Sequence, residues 1–142
     1  MNDVNATPSF REQLTISSSL DMLEEVYRWT NFHLECIGIT DTKKYEIVLA
    51  VSEAVTNAIR HGNHEDPESF VVIVFESHEN EIVITVQDEG PGFDPDILPD
   101  PTRGEKLFTP SGRGVFLLRS LADEINFEFT SDGTILKVRF FA

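Results

Sequence analysis

Three short clusters in this 142-residue chain carry side chains that could do chemistry. The first is Glu53-x-x-x-Asn57-x-x-x-His61-Gly62. Its carboxylate and amide are four residues apart, so on a helix they stand one turn apart on the same side. An amide oxygen suits a hard cation such as Mg²⁺, which takes oxygen ligands and keeps several waters. A carboxylate one turn earlier could accept a proton from a hydroxyl or water attacking a γ-phosphate. The second cluster, Asp88-Glu-Gly90-Pro-Gly92-Phe93, ends an apolar run. An acid there can accept a hydrogen bond from an exocyclic amine such as that of adenine, and glycines let a base approach the backbone. The third, Ser111-Gly112-Arg113-Gly114-Val115-Phe116, opens a helical pattern. Free N–H groups and the positive helix end attract phosphate there, and Arg113 can add charge-assisted bonds. Each cluster also has a plain reading. E-x-x-x-N is common on solvated helix faces, D-x-G-P-G is turn chemistry, and a Gly-x-Gly pair can be a hinge. No G-x-x-x-x-G-K-[ST] loop occurs, so a P-loop site is excluded.

The elements that must position these groups follow from periodicity. Phe10, Leu14 and Ile16 suggest a first strand, with Glu12 breaking the alternation. Ser18 and Ser19 can cap a helix with the stripe Leu20, Leu23, Val26/Tyr27, Thr30, Leu34 and Ile37, ended by Gly38. Thr40 or Asp41 caps a second helix to about His61, with Gly62 as its stop and Val48, Val51, Val55 and Ile59 as its core face. Glu53 and Asn57 lie off that stripe. Residues 69–76 and 82–88 read as a hairpin. Residues 94–111 form a long irregular loop with four prolines, a length that is usually functional. A helix over 113–122 and a second hairpin follow, turning at Ser131-Asp132-Gly133-Thr134. The order β, α, α, β, β, loop, α, β, β predicts an α+β, two-layer sandwich, with three helices on one face of a mostly antiparallel mixed sheet. The other face would meet solvent or a second subunit.

Length fits one domain over 10–142, with a flexible N-terminus at 1–9. The net charge of −14 argues against direct nucleic-acid binding and against an anionic membrane surface. No apolar run is long enough to span a bilayer, and no secretory signal opens the chain. A basic protein partner fits the charge, as does solubility alone. Arg103, Lys106, Arg113 and Arg119 are four of the eleven basic residues and cluster around the third motif, as a polyphosphate site in an acidic protein would need. Cys36 is alone, which suits a cytoplasmic location, and its helical setting suggests a buried structural thiol. His33, His64 and His78 share no metal-ligand spacing.

The three clusters, in this order and spacing, resemble the GHKL ATPase superfamily of gyrase, MutL-type repair proteins and sensor histidine kinases. Glu53–Gly62 is similar to its N box, Asp88–Phe93 to its first glycine box, Gly112-Arg-Gly-Val-Phe-Leu to its second, and 94–111 to its ATP lid. The string Gly112–Asp123 is especially similar to stand-alone anti-sigma-factor serine kinases. The resemblance implies the Bergerat ATP-binding fold. It implies Asn57 as the Mg²⁺ ligand, Asp88 for the adenine amine, Gly90 and Gly92 for the base pocket, and Gly112 and Gly114 for phosphates. Thr134 matches a threonine that assists adenine recognition, and Glu53 the general base. His61 matches the N box as a packing or orienting group. Pro110 stands where some kinases of this group carry a basic residue.

The resemblance thus implies an anti-sigma-factor serine/threonine kinase that binds Mg-ATP, phosphorylates an anti-anti-sigma (STAS-type) protein and sequesters a sigma factor, with a homodimer possible. The alternative is an ATP-binding partner-switching module without kinase activity. A histidine-kinase catalytic fragment is a third reading. It is set back by the lack of room for a dimerisation helix pair, although His33 lies in the first helix.

Overall fold

The computed structural model describes residues 10–90 and 112–141, with side chains in the last helix from Leu117 onward. Residues 1–9, Gly92, Arg103, Lys106 and the segment 94–111, expected as a lid, lie outside the described residues. The chain runs β1 (Phe10–Ser17), α1 (Leu23–Cys36), α2 (Asp41–Asn57), β2 (Phe70–Ser77), β3 (Glu81–Gln87), α3 (Gly112–Leu121), β4 (Glu124–Thr130) and β5 (Gly133–Phe141). The five strands form one sheet in the order β1-β2-β3-β5-β4, and every pairing is antiparallel.

Alternation explains the layering. Register places Ile73 beside Val86, Ile84 beside Val138 and Ile82 beside Phe140, all buried on one face with Ile16, Val71 and Phe75. The helices cover that face with Val26 and Leu34 of α1, Ile47, Val48, Val51 and Val55 of α2, and Leu118 of α3. The opposite rows hold Gln13, Thr15, Glu76, Thr85, Lys137 and Arg139. On that face Arg139 joins β3 to β5 by an ion pair with Glu81 at 2.7 Å. The alternation of β3 also settles where Asp88 must point. It follows Ile82, Ile84 and Val86 at the same spacing, so it continues the helix-facing row beyond the strand end.

Local chemistry sets the helix ends. The Ser19 hydroxyl accepts from Asp21 N–H, and this opens a single 3₁₀ turn (Leu20–Met22) that leads into α1. The second helix departs from expectation. Its α-helical part ends at Asn57, and residues Ala58–Gly62 form a π-helical turn. The Asn63 N–H closes that turn by reaching back five residues to the Ala58 carbonyl, at 2.9 Å. Such turns are rare and recur at functional sites. Gly62 is therefore not a left-handed helix stop. Cys36 also departs from expectation, because it is exposed. It stands two residues past buried Leu34, about 200° around the helix.

His33 is a core histidine, 8% exposed. Its ring packs against Phe10, Trp29, Phe32 and Phe75, with centroids 5.1 to 5.9 Å away. Its Nδ1 is buried without a hydrogen-bond partner. Burial pushes its pKa below the usual 6.5, with Glu12 pulling weakly the other way. A histidine whose folded pKa is lowered stabilises the fold above its unfolded value, and that stability is lost as pH falls through 6.5 and below. Urea midpoints are therefore expected to fall between about pH 7.5 and 5.5. His33→Leu should fall less steeply, and an unchanged slope would show that His33 is not a source of acid sensitivity.

Candidate functional site

The site is built around one buried carboxylate. Asp88 is 6% exposed and lies just past β3. Its Oδ1 accepts from the Gly90 N–H at 3.0 Å and the Thr134 N–H at 3.1 Å. Its own N–H donates to the Thr134 carbonyl at 3.0 Å, which extends the β3–β5 ladder by one residue. Burial pushes its pKa up, and the two backbone donors and the charge of His64 pull against that. Oδ2 has no hydrogen-bond partner among the described residues. One oxygen is thus locked by the backbone while the other remains an acceptor of fixed direction.

Three backbone segments close on this carboxylate, and all three carry glycine. A Cβ at Gly62 would overlap the Asp88 carboxyl, and one at Gly90 would overlap the Gly62 carbonyl oxygen. A Cβ at Gly133 would overlap the Asp88 carbonyl oxygen, and Gly133 has φ +147° besides. The structure therefore unites residues that are far apart in sequence: the end of the π turn, the exit of β3 and the start of β5. Asp88, Gly90 and Thr134, expected as one site, do come together.

Asn57 and Glu53 lie on α2, the helix that leads into the π turn and Gly62. Asn57 precedes Gly62 by five residues, and Ala54 and Ala50 are its smaller neighbours one and two turns back. The Asn57 Nδ2 is buried without a hydrogen-bond partner. A half-turn of the amide exchanges its nitrogen for its oxygen. Asn57 can thus present an unclaimed oxygen, the donor type a hard cation takes. Among the described residues no group of three or more His, Cys, Asp or Glu could hold a metal. A cation held by one amide oxygen and a ligand's own phosphates suits this donor set. Glu53 stands one turn earlier, half-buried. No described side chain or N–H bonds to its carboxylate, so it is available as a proton acceptor. His61 is partly buried, its pKa lowered first by burial and then by Arg60 and His64. All three influences favour its neutral form.

Gly112 and Gly114 form the first turn of α3, whose N–H groups have no partner within the helix. That helix packs against α2. The Arg113 side chain and Gly92 lie outside the described residues.

Sequence reasoning missed Asn63, a buried polar residue at 4% exposure. Its Nδ2 donates to Ser18 Oγ at 2.7 Å and to the Phe70 carbonyl at 3.0 Å, and its Oδ1 accepts from the Glu89 N–H at 2.8 Å. It directly follows the His61-Gly62 pair, and no periodicity marks it.

The matches to known proteins bear on the same region. The family model described as "Histidine kinase-like ATPase domain" matches residues 16–140. The chain belongs to the histidine kinase-like ATPase domain family. Among curated relatives, the serine-protein kinase RsbW of Bacillus subtilis (strain 168) is 31% identical over 110 residues, covering 73% of this chain and 69% of that one. The enzyme of the same name from Staphylococcus aureus (strain MSSA476) is 33% identical over 99 residues, covering 65% and 62%. The crystal structure of the RsbU and RsbW domains of a Mycobacterium tuberculosis protein superposes with a TM-score of 0.69 at 19% identity. That match covers 94% of this chain and 33% of the other, and it shares the fold of this ATPase domain.

Two expectations follow from the carboxylate. An acid whose folded pKa is raised is destabilising once ionised, so its penalty appears as pH rises from its unfolded value through its folded value. Asp88→Asn keeps an oxygen for the two N–H donors and removes the charge. Its stability relative to wild type should therefore increase from acid to neutral pH in paired denaturation curves. Gly62→Ala should instead destabilise by about 1–3 kcal/mol, because it overpacks the carboxylate. A neutral Gly62→Ala would contradict the close approach.

Proposed function

We propose that this chain is a Mg-ATP-dependent serine/threonine protein kinase of a partner-switching circuit. It would phosphorylate a small anti-anti-sigma (STAS-type) protein and sequester a sigma factor. The observation that carries the nucleotide assignment is the Asp88 carboxylate, with one oxygen fixed by Gly90 and Thr134 and the other without a partner among the described residues. The reaction class is supported by the named activity of the relatives in Bacillus and Staphylococcus, serine-protein kinase.

In this reading the free Asp88 oxygen accepts from the adenine amine. Gly90 and Gly92 leave room for the base, and Thr134 supports recognition from β5. Gly112, Arg113 and Gly114 receive phosphate at the start of α3. Asn57 holds Mg²⁺, which when bound neutralises phosphate charge. Glu53 takes the proton from the acceptor hydroxyl as that oxygen bonds to the γ-phosphorus and ADP departs with the electrons of the broken bond. The segment 94–111 serves as a lid that excludes water. The acidic surface suits basic patches on a protein partner.

Incubation with labelled ATP and an anti-anti-sigma protein tests this. Wild type should transfer label to a Ser or Thr of the partner. Glu53→Gln should lose about 10²–10⁴-fold in transfer rate while still binding ATP. Asn57→Ala should weaken binding mainly when Mg²⁺ is present. Tight ATP binding with no transfer by the wild type would instead establish the module that switches partners by binding alone.

A further inference from the structure

The Asn63 side chain is inserted into the sheet as a substitute peptide group. The β2–β3 register pairs Val72 with Gln87, and continuing it by two residues pairs Phe70 with Glu89. Those two residues do not bond backbone to backbone. The Glu89 N–H donates to Asn63 Oδ1 and the Phe70 carbonyl accepts from Asn63 Nδ2, while the Phe70 N–H donates to the Glu89 carboxylate. An amide offers one acceptor and two donors. Here Oδ1 takes the strand N–H, and the donors reach Phe70 and Ser18. Ser18 Oγ passes the link on to the Ser69 carbonyl at 2.9 Å.

This wedge sets where β3 goes after its last pair. Glu89 is held on the β2 side by Asn63, and Asp88 on the β5 side by Thr134. The carboxylate between them can aim only one way. The same residue closes the π turn through its backbone N–H, so its backbone holds the Gly62 wall while its side chain holds the Asp88 exit. It is followed by His64 at φ 52° and Glu65 at φ 56°. Two consecutive left-handed residues without glycine persist only where neighbouring bonds hold them.

We propose that Asn63 is a positioning residue that determines base specificity. It acts through the backbone of residues 88–89 to aim the Asp88 carboxylate and does not touch the nucleotide. This rests on the reading of Asp88 as the group that meets the adenine amine. GTP presents a carbonyl oxygen where ATP presents that amine, so an aimed carboxylate attracts one and repels the other.

The experiment measures ATP and GTP affinities by calorimetry, well below each variant's melting temperature. Wild type should prefer ATP. Asn63→Ala should lose about tenfold in ATP affinity, and its ATP:GTP preference should fall by a similar factor. In an Asp88→Asn background the same substitution should change ATP affinity less than about threefold, because sites that act as a unit are non-additive. If Asn63→Ala folds poorly, Asn63→Asp retains the acceptor for the Glu89 N–H and should lose an intermediate share of the preference. Ser18→Ala is the structural control. It removes one Asn63 bond away from residues 88–89, so it should lower the melting temperature while leaving the preference within about twofold. Equal losses for ATP and GTP, or an undiminished effect in Asp88→Asn, would overturn the positioning role while leaving nucleotide binding intact. A wild type that binds neither nucleotide would overturn the functional reading and this role together.

Discussion

The rest of the site depends on a carboxylate buried at the end of an apolar strand. Desolvation alone would drive Asp88 toward its neutral form or out of the fold. It stays because the chain brings two backbone N–H groups to one of its oxygens. Supplying those donors forces Gly90 to turn back beneath Gly62 and Thr134, the second residue of β5, to lie beside it. Glycine is required where the three backbones meet, since any Cβ there would occupy space already taken. The second oxygen then becomes a fixed acceptor, which is the property a base-recognition group needs.

A second constraint comes from the layering. Helices cover one face of an antiparallel sheet, and β3 carries its apolar row straight into Asp88. The site therefore lies where helix layer and sheet part company, at the strand end. The π turn reconciles the two. It ends α2 in a broader coil that brings Gly62 against Asp88, with Asn57 five residues and Glu53 nine residues before that glycine. In the proposed function, recognition of the base belongs to the sheet end, and handling of the phosphates and the proton to α2 and α3. Loss of transfer need not mean loss of binding, because different elements carry them.

Much of this was legible in the sequence, for identifiable physical reasons. Strand and helix periods marked all five strands and all three helices, since each buries one regular face. The acid–glycine and glycine–arginine clusters stood out because those residue types disrupt such periods. Asn63 stayed hidden, because a buried asparagine that completes a ladder leaves no repeating signal and its partners lie far along the chain; Ser18, read as a candidate helix cap, instead bonds to Asn63 and the Ser69 carbonyl, and Ser19 alone caps. The π turn was invisible for a similar reason: Ala58 and Ile59 fit an α pattern as well. Gly62 was noticed, but its reason was not, because the need for glycine there comes from Asp88, a residue 26 positions later. Cys36 is exposed because it lies off the buried face of α1, which carries Val26, Thr30, His33 and Leu34.

In the proposed function, the Asp88 oxygen that has no partner among the described residues reads an exocyclic amine. Purine riboside triphosphate is ATP without that amine, and its size, charge and phosphates are otherwise the same. Calorimetric titration of the wild-type protein with each compound, in the same Mg²⁺ buffer, isolates this one hydrogen bond. A bond to a buried charged acceptor is worth about 1.5–3 kcal/mol, so ATP should bind roughly tenfold to a hundredfold more tightly. Equal affinities would contradict the account.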